Sequence, residues 1–332
     1  MMTTHRVCTV STLLLVLVLP VPAQDGKWEI TFSPLYVDVV GNDPHVLSIH
    51  NVQQTDSFAT DARTAVSIDT ESGNGWLGEA RYDKGKWAFG IDFFWFVNSQ
   101  ITDPLRMTGT DATHYVAFEI ADRSYVSESP DQVLYFQGLE DNELKAWTFD
   151  LFALLELART EHGTISAQLG LRNADYDNDY HAVVGIEGIG GTRQDASSNY
   201  PRMTGPLVGF TGQFHWGRNH LQGVLNQSVV FGSVELSGQL RDFNGPFNEA
   251  PDFVSDQTLH YMKSTGIPIT DFRLKYSREI GQRWSLGIGM HHTAWWDLPI
   301  PPGVDPMPGG SGQFRENSMI LSGIILSLGF HF

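Results

Sequence analysis

From about residue 27 onward, apolar and polar residues alternate with a period of two in run after run. That is the period of a β-strand, whose successive side chains point to opposite faces. The runs fall at 27–40, 74–83, 86–98, 143–158, 164–176, 203–216, 220–235, 268–278, 283–297 and 314–332. The clearest is 86–98, with Trp87, Phe89, Ile91, Phe93, Trp95 and Val97 on one face and Ala88, Gly90 and Asp92 on the other. The last carries Ile324, Leu326, Leu328, Phe330 and Phe332 opposite Gly323, Ser327, Gly329 and His331, with Ile325 as the misfit. The run at 220–235 is the least regular.

The connections between runs are sorted by length. Long polar segments at 41–73, 99–142, 177–202, 236–267 and 298–313 alternate with short turns such as Asp83-Lys84-Gly85-Lys86 and Gly217-Arg218-Asn219. A single antiparallel meander gives this order when every turn lies at one end and every loop at the other, as in transmembrane barrels. The expected fold is therefore all-β: a transmembrane antiparallel up-and-down β-barrel of about ten strands. It becomes twelve if 63–70 and 132–138 form a further pair. An even number returns both termini to the turn end.

The two faces decide between lipid and a soluble core. The polar face carries Glu79, Arg81, Asp92, Asp150, Glu156, Arg172, Asp271, Arg273 and Lys275 at mid-strand depth. Inside a narrow barrel these charges of both signs line the lumen and can pair across it, while the apolar face meets hydrocarbon. Trp28, Trp76, Trp87, Trp284, Trp295 and Trp296 lie near strand ends, where an aromatic girdle is expected. A soluble barrel with its apolar face inward accounts for the alternation equally well, but not for the sorted connections.

Composition narrows the partners. The formal charge is −17, so a nucleic-acid partner is excluded on sign. There are 33 glycines, and aromatics make up 12% of the chain, which suits a barrel. Residues 1–23 read as a secretory leader: Arg6, an apolar core from Leu13 to Leu19, then Val21-Pro22-Ala23, with cleavage expected after Ala23. The single cysteine, Cys8, falls within that leader, so the remainder holds no disulfide or cysteine chemistry. The expected organisation is a leader, 1–23, and one barrel domain, 24–332.

The leader, the Trp-led hairpin 76–97 and the terminal strand together resemble a small bacterial outer-membrane β-barrel. That resemblance implies an outer-membrane location, contact with outer-membrane lipid and lipopolysaccharide, and recognition by the barrel-assembly machinery through the final strand, with Phe330 and Phe332 as its signal. The stretch Gly205-Pro206-Leu207-Val208-Gly209-Phe210 and the following turn also resembles, on glycine spacing, the Legionella-type pore-forming outer-membrane proteins.

Motifs for chemistry are sparse. Asp175, Asp177 and Asp179 have the alternate spacing of a calcium loop but lack its glycine and distal glutamate. His291 and His292 are adjacent on a strand, so they face opposite ways and cannot chelate one metal together. No Gly-x-Ser-x-Gly elbow, His-Glu-x-x-His or phosphate loop occurs. The chain is therefore expected to need no cofactor and not to be an enzyme. A narrow pore for ions or small solutes is the first functional expectation. A non-conducting structural or surface-interaction barrel is the second, and a rim-located hydrolase the third.

Overall fold

The computed structural model describes residues 27–41, 45–54, 59–67, 72–99, 104–111, 114–120, 123–138, 143–246, 252–299 and 316–332. The leader, Cys8 and most of the segment 298–313 lie outside the described residues. In chain order the first strands are β1 (Lys27–Gly41), β2 (His45–Gln54), β3 (Ala59–Ser67), β4 (Gly73–Lys84), β5 (Trp87–Ser99) and β6 (Leu105–Met107). They are followed by β7 (His114–Ile120), β8 (Arg123–Ser127), β9 (Leu134–Gly138), β10 (Glu143–Arg159) and β11 (Gly163–Ile186). The chain continues through β12 (Gly190–Trp216), β13 (Asn219–Asn244), β14 (Asp252–Glu279), β15 (Trp284–Pro299) and β16 (Glu316–His331).

Ten of these strands close into an antiparallel barrel in the order β10-β5-β4-β1-β16-β15-β14-β13-β12-β11, with β11 pairing back onto β10. The first and last strands are joined at the turn end, where Trp28 N–H donates to Phe332 O at 2.9 Å and Phe332 N–H to Trp28 O at 3.0 Å. The seam at β10 packs through missing side chains. Phe152 lies between Gly90 on β5 and Gly170 on β11 in register, and its ring occupies the space a side chain at Gly90 would fill.

The remaining strands stand outside the ring. β9 pairs with the upper end of β11 and β6 pairs with β9, while β3-β2-β7-β8 form a separate four-stranded sheet. The expected alternative of twelve staves is thus corrected. Residues 63–67 and 134–138 are in strands, but β3 pairs with β2 and β9 with β11, so the two do not pair with each other.

Two of the expected long loops are also corrected. Segments 177–202 and 236–267 are mostly strand: the β11–β12 hairpin runs on to a turn at 187–189, and the β13–β14 ladder runs on to Asn244 opposite Asp252. Within 41–73 and 99–142 the chain forms β2, β3 and β6 through β9. The long hairpins escaped the pattern because their polarity inverts partway along. On β11 the outward side chains are Ile165, Leu169 and Leu171, and then Asn173, Asp175, Asp177 and Asp179. The inward ones are Ser166, Gln168 and Arg172, and then Ala174, Tyr176, Tyr180, Ala182 and Val184. The same switch occurs inside β14, from Lys275, Arg273 and Asp271 to Ile269 and Ile267, and inside β5, from Asp92 to Phe94 and Phe96.

Below the switch the barrel is apolar outside and polar inside; above it the order is that of a soluble protein. Bulges mark the level. The β12 register with β13 slips between Asn199 and Thr204, and the β15 register with β16 slips between Trp295 and Leu298. Each bulge holds a non-glycine residue with positive φ, Arg202 (53°) and Asp297 (56°). An extra residue rotates the strand locally and leaves a backbone group unpaired, and so it tolerates Pro201 beside it.

Candidate functional site

Acidic side chains crowd one side of the barrel wall. Glu79 on β4 sits directly opposite Asp92 on β5, and Asp92 opposite Asp150 on β10. Like charges opposite one another on a sheet repel, so this row requires cations from elsewhere. They come from beside it and from across the lumen. Arg172 on β11 forks onto Asp150, Nε to Oδ1 at 2.7 Å and Nη2 to Oδ2 at 2.5 Å, and reaches Asp271 on β14 at 2.5 Å. Its Nη1 also donates to Ser228 Oγ on β13 at 3.2 Å. Arg273 on β14 bridges to Asp92 and, at 2.9 Å, to Glu79, while Lys275 donates to Glu79 at 2.6 Å. β14 is separated from β4 by three strands in the ring, so these bonds cross the lumen.

Seven of the nine expected lumen charges therefore meet in one network: Glu79, Asp92, Asp150, Arg172, Asp271, Arg273 and Lys275. Arg81 lies next to it, lining a turn-side cavity of about 30 Å³ that Glu79 and Lys275 also line. Glu156 stands apart, at the turn end of β10, where it pairs with Arg159 at 2.6 Å.

An apolar layer roofs the network. Phe94, Phe96, Tyr176, Tyr200, Met203, Ile269 and Trp295 belong to one buried cluster that fills the barrel above the charges. Tyr176 meets Tyr200 edge-on at 5.2 Å and Trp295 at 6.1 Å. The expected girdle position of Trp295 is thereby corrected: it is 0% exposed and points inward, because it lies above the polarity switch, while Trp296 faces out. Ile325, the misfit of the last strand, is a member of the same layer. His291 and His292 do face opposite ways. His291 is buried against Phe94 at 4.9 Å, and His292 Nδ1 is 2.8 Å from Ser322 Oγ.

Above the barrel a second cluster, with Phe118, Leu134, Phe136, Tyr180 and Val184, packs the four-stranded sheet onto β9, β11 and β12. Polar bonds fasten it. Arg123 on β8 donates to Asp242 on β13 at 3.1 Å, and Asp242 also accepts from Thr192 and Ser255, both at 2.6 Å. Burial raises the Asp242 carboxyl, but these donors outweigh it and hold it below the usual carboxylate range.

On the outer face, His181 Nδ1 is 2.6 Å from Asp195, which also takes Arg193 at 2.8 Å and Arg241. Burial again raises Asp195, and these three partners bring it well below its ordinary range. Asp175, Asp177 and Asp179 project from alternate positions of β11 on this face rather than from a loop. Burial, then Asp179 beside it, pushes Asp177 up to about 6. Among the described residues no three His, Cys, Asp or Glu side chains converge to hold a metal ion.

Phe330 and Phe332, the expected assembly signal, lie at the turn end of the barrel among other aromatic side chains. Phe330 packs on Trp284 at 4.8 Å and on Phe332 at 5.4 Å, and Phe332 stacks on Trp28 at 6.4 Å. What sequence reasoning missed are the apolar roof and the polarity switch. Their signal was present in the irregular run 220–235, where Val230 and Val234 face inward among outward apolar residues.

No family model matches the chain, so the Legionella-type resemblance rests on its glycine spacing alone. No curated protein matches either. Among solved structures the chain is similar to the outer membrane protease OmpT from Escherichia coli, at 10% identity and a TM-score of 0.43, covering 93% of this chain and 96% of that one. It is also similar to the CymD monoaromatic hydrocarbon channel, at 9% identity and a TM-score of 0.32, covering 93% and 89%. A FadL homologue from Pseudomonas aeruginosa matches at 10% identity and a TM-score of 0.28, covering 93% and 90%. The neighbours thus include both a protease and channels, and at these scores they do not separate one role from another.

Proposed function

We propose that the chain is a closed, non-conducting barrel of the bacterial outer membrane that carries a rigid β-structured platform above the lipid and works through that platform's surface. The observation that carries this reading is the polarity switch. From Trp87 to Trp95 the strand rises about 26 Å, or about 20 Å along the normal at a tilt of about 40°. That is close to the roughly 25 Å apolar band of outer-membrane barrels. Within it Leu169 is 61% exposed and Ile324 59%, which water would not favour. Above it the same strands bury apolar residues and expose acids.

The crossed ion pairs and the aromatic roof support closure. Arg172 and Trp295 are among the largest fully buried side chains of the protein. A catalytic reading finds less support. The His181–Asp195 contact has its carboxylate engaged by two arginines, Arg193 and Arg241, which commits that carboxylate to an ion-pair cluster. Lipid and lipopolysaccharide are the proposed surroundings, and the terminal strand with Phe330 and Phe332 the proposed contact for the assembly machinery. The leader-like segment 1–23 fits export.

Single-channel recording of residues 24–332, refolded into a planar bilayer, tests the reading. Silence from a barrel that shows heat-modifiable gel mobility is expected. Steady conductance steps whose ion selectivity changes in Arg172→Gln or Lys275→Gln would overturn closure in favour of a lumen pore.

A further inference from the structure

Strand β14 is bordered on one side only along its upper half. It pairs with β13 from Asp252 to Arg278, but with β15 only from Ile269 to Glu279. From Pro268 upward its other edge has no strand beside it among the described residues. The turn shows which backbone groups face that edge. Glu279 N–H donates to Arg218 O at 2.9 Å, on the β13 side, and Ile280 N–H to Trp284 O at 2.7 Å, on the β15 side. Successive residues of a strand send their N–H and C=O to opposite sides, and the β13 ladder keeps its register from Arg278 to Ser255. Asp256, Thr258, His260, Met262, Ser264 and Gly266 therefore turn both groups toward the open edge. Pro268, next in that series, has no N–H to offer and suits an edge for that reason.

An open edge is a template for another strand. The order of its side chains identifies that strand. Turned end over end about Thr258, the edge meets a second copy with Thr258 opposite Thr258, Asp256 opposite His260 and Val254 opposite Met262. Such hydroxyl, acid–base and apolar pairs are the cross-strand neighbours that stabilise a sheet. All five side chains are exposed, Val254 at 60% and Met262 at 62%. Asp256 accepts from Gln239 at 2.9 Å and the His260 ring stands 3.6 Å from Glu235, so the pair would form within a polar row. Centring on His260 instead sets Thr258 against Met262, and centring on Met262 sets Thr258 against Gly266. Neither matches polarity. The two-fold axis of the pair stands perpendicular to the sheet. It reverses every direction lying in the sheet, the barrel axis included, so the two barrels point at each other.

We propose that the upper edge of β14 pairs antiparallel with the same edge of a second copy, joining two barrels head to head from facing membranes. This names the partner of the platform surface. Its placement in facing membranes rests on the membrane reading above; the pairing itself does not.

Single cysteines in a Cys8→Ser background test it, in detergent and in vesicles. Thr258→Cys should form a disulfide-linked dimer, because the opposed Cα atoms of such a pair are about 5.5 Å apart, within disulfide reach. His260→Cys should stay monomeric, since it would stand about 14 Å from its counterpart. Met262→Lys removes two apolar pairs and should weaken dimerisation in ultracentrifugation by roughly tenfold. Thr258→Pro deletes an N–H that the β13 ladder does not use, and should abolish the dimer while heat-modifiable gel mobility persists. No disulfide at position 258 in a folded barrel, or disulfides at 258 and 260 alike, would overturn the pairing. A monomer whose Thr258 and Met262 amides are protected from hydrogen exchange would assign the edge to another part of this chain and overturn it too. Disulfides within one vesicle population, rather than between two separately labelled ones, would overturn the head-to-head arrangement. Failure to insert into bilayers would speak against the membrane reading alone, with the disulfide in detergent left to judge the pairing.

Discussion

The lower barrel and the upper extension are made of the same strands and obey opposite rules. Along β11 the core-facing positions change from Ser166, Gln168 and Arg172 to Tyr176, Tyr180 and Val184 within a few residues, without a break in the ladder. On the membrane reading proposed above, the difference lies in the surroundings, not the backbone. In hydrocarbon every backbone polar group must be paired within the protein, which the closed ring achieves. Side-chain polarity is then free to follow whichever medium lies outside. Lipid outside leaves the interior to polar groups, which must satisfy one another, and this barrel does so with crossed ion pairs. Water outside restores an apolar interior, and the roof of Tyr176, Tyr200 and Trp295 begins where the outward apolar band ends.

The largest expected effect comes from the lower region's interior. Arg172→Leu leaves Asp150 and Asp271 without their shared cation in a buried site, and should cost about 3–5 kcal/mol. Urea titration of the folded fraction by gel mobility measures it. Neutralising Asp150 and Asp271 to Asn in the same chain should recover part of the loss. No recovery would mean that the arginine acts through packing alone.

The next effect sharpens the comparison by placing the same charge in both regions. Leu169→Arg puts a cation on the lipid face and should cost about 2–4 kcal/mol. Ser197→Arg puts it on the outer face of the extension, where the loss of the 2.7 Å hydroxyl contact with Ser237 should cost about 0.5–1.5 kcal/mol. Equal costs at the two positions, read by the same titration in lipid vesicles, would remove the boundary between the regions.

The lower barrel was legible in the sequence because its outward face is apolar and its inward face polar or small, in strict alternation. Strand β5 reads Trp87 to Val97 without an error, and the charges that meet inside were all on the face assigned to the lumen. The network's pairing was not legible, since Arg273 and Glu79 are brought together only by ring closure, 194 residues apart. The extension was hidden for a different reason. In Asp175-Tyr176-Asp177-Asn178-Asp179 the acids and the intervening residues are both polar, so no apolar stripe announces a strand, and a loop is the natural reading. Bulges at 200–203 and 295–298 then shift the period just where polarity changes.

A smaller effect tests how firmly the extension is fastened. Arg123→Gln removes the charged donor to Asp242 and should weaken the hold of β8 on β13 by about 1–2 kcal/mol. Hydrogen exchange should then quicken in β7 and β8 while the barrel strands stay protected. If β14 and β15 quicken equally, the two regions unfold as one unit and the comparison loses its energetic content.

The smallest effect is set by pH. The Asp177 carboxyl titrates near 6 in the folded protein, raised by burial and by Asp179, against about 3.9 unfolded. Between those values the folded state binds more protons than the unfolded one, so stability falls as pH rises from about 4 to 6 and is level above. Asp195 runs the other way: its carboxyl is depressed, so its contribution is present above the unfolded value and is lost as pH drops below it. Both groups are partly exposed, and screening should leave about 0.5 kcal/mol or less from Asp177. Asp177→Asn should flatten the slope of extension stability between pH 4 and 6, followed by hydrogen exchange in β11 and β12. It should leave the lower barrel's urea midpoint unchanged at every pH, because that carboxylate stands above the lipid band and outside the crossed ion pairs. A shift of the midpoint together with the extension would show that the outward acids and the lumen charges titrate as one system.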